Sequence, residues 1–214
     1  ILNAFLRPDR LHQGSKQASD QAAAQAGAGE GANWAVDSEE PVGFFVELTS
    51  GGGHTVTWLS RAGLQGFLKR KKKPRYGILQ RFVRPGASCL HHETIRVVWS
   101  PNVYSADLCR NVQQWADVSK DLASRMGTFE APLHQQHVTA LTKVRAKQVH
   151  TATSSLVTHV NSLLPTGCSC WNAVLHFTIN ADSKLVFLYC SDMQIRSSAD
   201  VRSSYTFLCL RVAC

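Results

Sequence analysis

The densest charge in this sequence is a basic run at residues 69–75. Six of its seven residues are cationic and the seventh is a proline. The cations are Lys69, Arg70, Lys71, Lys72, Lys73 and Arg75. Without them, 23 Lys and Arg against 15 Asp and Glu become 17 against 15, so most of the net charge of +8 is local. Such a cluster attracts a polyanionic surface, which can be nucleic acid, an anionic membrane face or an acidic protein.

The basic run has three interpretations. A solvated surface is usual for shorter clusters, but six neighbouring cations repel one another in the absence of a partner. A nuclear import signal has this composition, but such signals normally lie in exposed tails or linkers, whereas this run stands between a predicted helix and a predicted strand. Docking onto a polyanion fits both charge and position. We therefore predict that the six cations bind a partner.

Cysteines and histidines raise the possibility of a zinc site. The segments CLHH and CSC supply Cys89, His91, His92, Cys168 and Cys170, which are enough ligands for one ion. Structural zinc sites usually space paired cysteines as CxxC or wider, so CxC favours ordinary loop and core residues. The sequence leaves the zinc alternative open, and we predict no metal and no cofactor.

Enzyme motifs are missing from the sequence. It contains no GxxxxGK[ST] phosphate loop, no GxGxxG after a strand, no HExxH and no GxSxG. The stretch TSGGGHT lacks the lysine and the following helix of a nucleotide loop, so it reads as a hairpin turn. A cysteine nucleophile with a histidine base is a further alternative, but nothing local marks one of the seven cysteines for that role. We predict that the protein is not an enzyme.

Composition predicts one main folded unit that does not enter a membrane. A chain of 214 residues with 44% hydrophobic content can bury a sizeable core. No apolar run approaches the roughly eighteen residues that a spanning helix needs. Seven cysteines form an odd set without regular spacing. They predict buried thiols in a reducing compartment rather than a disulfide framework.

The chain divides into four predicted segments. Residues 1–12 contain the apolar stretch ILNAFLRP and are expected to dock on the fold or on a neighbour. Residues 13–40 form a flexible Ala/Gly/Gln-rich insertion, because positions 13–33 contain no Val, Ile, Leu or aromatic residue. Residues 41–196 form an α+β domain, and residues 197–214 form a tail.

Hairpins and helices follow from the patterns inside the predicted domain. VGFFVELT and HTVTWLS flank the glycine turn SGGG, and Ser60 is placed to cap a short helix that must end near Pro74. GILQRFV and TIRVVWS are strand-like. NAVLHFTI and LVFLYCS, joined by NADSK, form the strongest hairpin, whose second strand is apolar on both faces and is predicted to be covered on both sides.

Two segments have helical spacing of apolar residues. Residues 111–126 place Val112, Trp115, Val118, Leu122 and Met126 on one predicted face. Residues 141–164 do the same with Val149, Ala152, Leu156, Val160 and Leu163. The predicted fold class is α+β, a mostly antiparallel sheet with one long amphipathic helix packed on it.

Four stretches of the chain also carry a family resemblance, namely YGILQRFVRP, ETIRVVWSPNV, GTFEAP and VLHFTINADSKLVFLYCS. In this order and spacing they resemble a group of flagellar-associated, axonemal proteins of algae and ciliated protists, over residues 40–195. The resemblance implies a non-enzymatic component of the ciliary or flagellar axoneme within a large microtubule-based complex. It implies no site residues.

Charge and resemblance together favour a structural adaptor. Tubulin surfaces are acidic, so tubulin or another axonemal protein is the expected partner of the basic run. The alternative is an RNA-binding subunit of a ribonucleoprotein such as an organellar ribosome. Against it, the rest of the chain is nearly neutral and no RRM-type aromatic motif is present.

Overall fold

A computed structural model describes residues 40–48, 53–71, 77–86, 89–197 and the backbone of 208–209. Its helices are α1 (Arg61–Lys69) and α2 (Lys143–Leu163), with short 3-10 turns at Ala123–Arg125 and Leu133–Gln135. The strands are β1 (Pro41–Leu48), β2 (His54–Ser60), β3 (Gly77–Arg81), β4 (His91–Trp99), β5 (Tyr104–Gln114), β6 (Gln136–Ala140), β7 (Cys168–Ile179), β8 (Leu185–Ser197) and β9 (Leu208–Cys209).

Two antiparallel sheets contain these strands. One has three strands in the order β2-β1-β3, and the other has six in the order β6-β5-β4-β7-β8-β9. The hairpin predicted around SGGG is β1–β2, with Phe45 opposite Thr57. The second predicted hairpin is β7–β8, whose turn is closed by the Asn180 side chain accepting hydrogen bonds from the Asp182 and Lys184 amides. Both hairpin predictions are confirmed.

Strand β8 is covered on both sides. Leu188 and Tyr189 join a buried cluster with Phe44 and Val46 of the three-stranded sheet. Phe187 and other β8 side chains pack instead with the cluster that holds α2 against β4, β5 and β7. The six-stranded sheet therefore has the small sheet on one face and α2 on the other. The apolar pattern of β8 predicted that both sides are covered, but not that a second sheet covers one of them.

The predicted α+β class with mostly antiparallel pairing is confirmed, but the arrangement is richer than one sheet and one helix. There are two sheets and two α-helices among the described residues. Sequence patterns identified each strand separately and could not tell that β3 pairs with β1 rather than with β4, because pairing is decided by tertiary packing.

The predicted helix at residues 111–126 is wrong. Residues 111–114 end β5, and only Ala123–Arg125 forms a single 3-10 turn. The Asn111 side chain donates to the Ser124 and Met126 carbonyls and accepts from the Gln113 amide. Side chains that bond the backbone in this way compete with helix formation. Leu122 and Met126 are buried, while Val112 and Val118 of the same predicted face are exposed.

The helix predicted at 141–164 is present as α2, with its buried face rotated from the predicted one. Val149, Thr153 and Val157 are buried, Val160 is half-buried, and Leu163 is 68% exposed. Thr153 is polar, so its position at the centre of the buried face was hidden from the apolar pattern.

The predicted segments 1–12 and 13–40 lie outside the described residues except for Glu40, and so does most of the tail. Within the tail, β9 pairs with β8, with Leu208 opposite Ile195. None of the described helices is both long enough and apolar enough to cross a membrane.

Candidate functional site

The described part of the basic run lies at the end of α1. Ser60 begins this helix, as predicted, by accepting a hydrogen bond from the Gly63 amide at 3.1 Å. Phe67 anchors the helix, since its buried ring packs on Phe45, 4.8 Å away between centroids. The helix ends where the Arg70 amide donates to the Phe67 carbonyl.

Lys69, Arg70 and Lys71 are all exposed. The Arg70 guanidinium lies over the Phe67 ring, with its central carbon 5.5 Å from the ring centroid. The aromatic face and the negative end of the α1 dipole both favour cations at this place. The remaining predicted binding residues, Lys72, Lys73 and Arg75, lie outside the described residues. The structure therefore places three of the six cations on an anchored surface.

The five candidate zinc ligands are not brought together. Strands β4 and β7 are antiparallel, with Ile95 opposite Phe177. His92 near the start of β4 and Cys170 near the start of β7 consequently lie at opposite ends of the pair, about ten residues or roughly 30 Å apart at the usual strand rise. No single ion can be held by both groups. Within the part of the chain that the structure describes, no three His, Cys, Asp or Glu residues are placed to hold a metal.

His92 has a structural setting. Its side chain is buried, its Nδ1 accepts a hydrogen bond from the Gly127 amide at 3.1 Å, and its ring stacks on Phe82. Burial lowers the pKa of His92 to about 4. The imidazole is therefore neutral at physiological pH.

Buried thiols do not provide an activated nucleophile. Burial raises the pKa of Cys109 to about 12, that of Cys190 to about 12 and that of Cys170 to about 11. Because the thiolate is the reactive form, these three cysteines are poor nucleophiles near neutral pH. The five cysteines among the described residues are free of disulfides.

A histidine cluster lies between the two sheets, and sequence reasoning missed it. His54 of β2 lies 2.7 Å from Glu130 between Nε2 and Oε1, and its ring meets that of His176 edge-on. His176 stacks on Tyr189 with centroids 4.3 Å apart, and its Nε2 lies 3.0 Å from the Ser191 hydroxyl. These residues come from segments far apart in the sequence. The one available signal was a histidine on the inward-facing side of a strand in VLHFTI.

His176, at the centre of this cluster, is uncharged at neutral pH. Burial, with a smaller effect of His54, lowers the pKa of His176 to about 3. The pKa of Glu130 is also lowered: its burial acts to raise it, but the hydrogen bond and charge of His54 outweigh that effect. A Ser–His contact of this kind can support nucleophilic catalysis when it opens into a cleft. His176 is only 1% exposed, which fits a packing role between the sheets.

An ion-pair network ties α2 to the six-stranded sheet. Glu93 accepts from Arg110 Nε at 2.8 Å and from Arg145 Nη1 at 3.2 Å. The side chain of Glu93 is 12% exposed, whereas that of Arg110 is 52% exposed. The network fixes the N-terminal end of α2 next to β4 and β5.

Comparison of the chain with models of known families, with curated proteins and with solved structures gives no match.

Proposed function

We propose that this protein is a non-enzymatic structural adaptor that docks onto an acidic protein surface through the basic run. One observation carries the proposal: the run begins with three exposed cations, Lys69, Arg70 and Lys71, at the end of a helix anchored on a sheet. Because the start of the basic run is held by α1, the positions of these three cations are restricted, and less conformational entropy is lost on binding.

The platform behind the run supports a docking role. Phe67 and Leu59 pack α1 onto the small sheet, and that sheet packs on the larger one through Phe44 and Tyr189. In this proposal α2 is the main helix that stiffens the opposite face of the six-stranded sheet. The described start of the run is thus connected through packed side chains to both sheets.

The family resemblance directs the proposal to the axoneme. There the partner is tubulin or another axonemal protein within a large microtubule-based complex. Tubulin supplies the acidic surface that six clustered cations need, and the contact will be fast and sensitive to salt.

The test compares binding to microtubules, to microtubules whose acidic tails have been removed by limited proteolysis, and to structured RNA. Each is measured by co-sedimentation or filter retention across a salt series. The proposal expects binding to intact microtubules that weakens on tail removal and at high salt. Contacts to RNA phosphates also weaken with salt, so salt dependence alone does not separate the two partners. Stronger retention on RNA than on microtubules at every salt concentration would favour the ribonucleoprotein alternative.

A further inference from the structure

A second surface, distinct from the basic run, is formed by the outer edge of strand β6. This strand (Gln136–Ala140) is at the end of the six-stranded sheet and pairs with β5 alone among the described residues. Four of its five residues are exposed. In an antiparallel pair, alternate residues turn their backbone N–H and C=O groups away from the partner strand, so β6 presents such groups outward.

Three features that commonly protect a sheet edge, namely lysine, proline and a bulge, are missing from the sequence and register of β6. Natural edges are blunted by lysine, proline or a bulge. The sequence of β6 is QHVTA, and its register with β5 is regular from Asn111 opposite Gln136 to Asp107 opposite Ala140. Val138 is 49% exposed in the middle of the strand.

The start of β6 is held firmly. Gln136 is buried, its amide nitrogen donates to the Ala131 carbonyl at 2.6 Å, and its amide oxygen accepts from the Cys109 thiol at 2.8 Å. The edge is therefore preorganised, which reduces the ordering cost of adding a strand to it.

One face beside this edge is basic. His137 lies opposite Arg110, and cross-strand partners share a face, so both lie on the side of the sheet where Arg110 and Arg145 meet Glu93. The first turns of α2 add Lys143 and Lys147, both exposed, and no acidic residue is present in the first turn. Four cations thus share one carboxylate. Cations at a helix N-terminus oppose the helix dipole, so carboxylates from a partner would stabilise this end of α2.

On the opposite face, which points away from α2, β6 presents Val138 and Ala140, which lie opposite Cys109 and Asp107. The Asp107 carboxylate is paired there with Arg96, so the side chains of β6 itself are the apolar part of this face.

We propose that β6 receives an extended segment of a partner protein in which acidic and apolar residues alternate. The segment adds a seventh strand, its carboxylates lie toward Lys143, Lys147 and Arg110, and its apolar side chains lie beside Val138. The period of two in a strand matches this division of the edge into a basic face and a face on which β6 carries Val138 and Ala140. With the basic run, the adaptor then has two docking surfaces.

The test measures binding of a labelled peptide to the full chain. The peptide is one strand long, alternates glutamate and valine and carries fluorescein, and its binding is measured by fluorescence anisotropy at low salt. Three matched peptides serve as controls. Two have the same sequence with every second amide N-methylated, one at the odd and one at the even positions, and the third has lysine in place of glutamate.

The glutamate peptide is expected to bind. The phase whose methyl groups replace the N–H groups facing β6, and the lysine–valine peptide, should bind at least about tenfold more weakly, because the backbone bonds and the charges both contribute. The other phase carries its methyl groups on the side away from β6 and should bind nearly as well as the unmethylated peptide.

Two protein variants complete the test. Lys143→Glu with Lys147→Glu should weaken binding of the glutamate peptide at least about tenfold, whereas Lys184→Glu in the β7–β8 turn should leave it within about twofold. Circular dichroism and thermal unfolding of each variant exclude misfolding. Equal binding of the two N-methylated phases, no binding by the unaltered protein, or equal effects of the two charge changes would overturn the proposal. Self-association of the chain that the glutamate peptide does not displace would also overturn it, since the occupant would then be a second copy.

Discussion

Acidification is expected to destabilise the fold through His92 and His176. The pKa of each falls from an ordinary value of 6.5, to about 4 for His92 and about 3 for His176, chiefly because both are buried. A histidine with a lowered folded-state pKa adds stability above the unfolded pKa, and that stability is lost as pH falls below it. Below the unfolded pKa, each of the two histidines lowers the free energy of unfolding by about 1.4 kcal/mol per pH unit. Going from about pH 7.5 to pH 5 crosses about 1.5 units of this range, so the two together should lower the free energy of unfolding by about 4 kcal/mol.

Urea unfolding followed by tryptophan fluorescence at several pH values measures this loss. The variant His176→Phe keeps a ring that can stack on Tyr189 but cannot titrate, so its loss over the same range should be about 2 kcal/mol. His159→Phe, at an exposed position of α2, is the matched control and should follow the unaltered protein. The pH interval of this experiment lies above the pH range in which protonation of Glu130, whose pKa is lowered, would change the stability. A pH-independent free energy of unfolding, or identical pH curves for His176→Phe and the unaltered protein, would refute the reasoning.

Further substitutions test the core beneath α2, a close backbone contact and the cap of α1. Val157→Asp should cost several kcal/mol, because it puts an unpaired charge into the core beneath α2, whereas Leu163→Asp at the exposed end of the same helix should cost under about 1 kcal/mol by chemical denaturation. Gly127→Ala should lower the melting temperature measurably, since a Cβ there would lie 2.6 Å from the His92 carbonyl oxygen; an unchanged melting temperature would contradict this. Ser60→Ala should cost about 1 kcal/mol by removing the α1 cap, and an unchanged free energy of unfolding would contradict this.

The elements predicted best were those whose signal is local. The β1–β2 and β7–β8 hairpins have strand-like runs on either side of turn residues, and the cap at Ser60 depends on one side chain and one amide three residues away. These interactions connect residues that are close in the sequence, so the pattern alone is enough to predict them.

The failures share a different physical origin. Asn111 was read as the start of a helix, although its side chain holds the loop that follows β5. Thr153 is buried through tertiary packing that no hydropathy pattern reports. The histidine cluster joins His54, Glu130 and His176, which only the stacking of two sheets brings together. The candidate docking residues could be proposed from the sequence because charged residues are identified directly from it. The anchoring of α1 could not be predicted, because it depends on the tertiary contact between Phe67 and Phe45.

The central claim, that the basic run grips an acidic partner, is tested most directly by microtubule co-sedimentation of the variant Lys71→Ala, Lys72→Ala, Lys73→Ala. Its control replaces three other cations by alanine, namely Arg61, Lys120 and Lys184, which are exposed and lie outside the run. Both variants should retain stability within about 1 kcal/mol, since exposed charges such as Lys71 and the three control cations contribute little to folding. The account predicts that the first variant loses most binding at low salt and has a flatter salt dependence, while the control binds like the unaltered protein. Equal binding by all three proteins at low salt would contradict it.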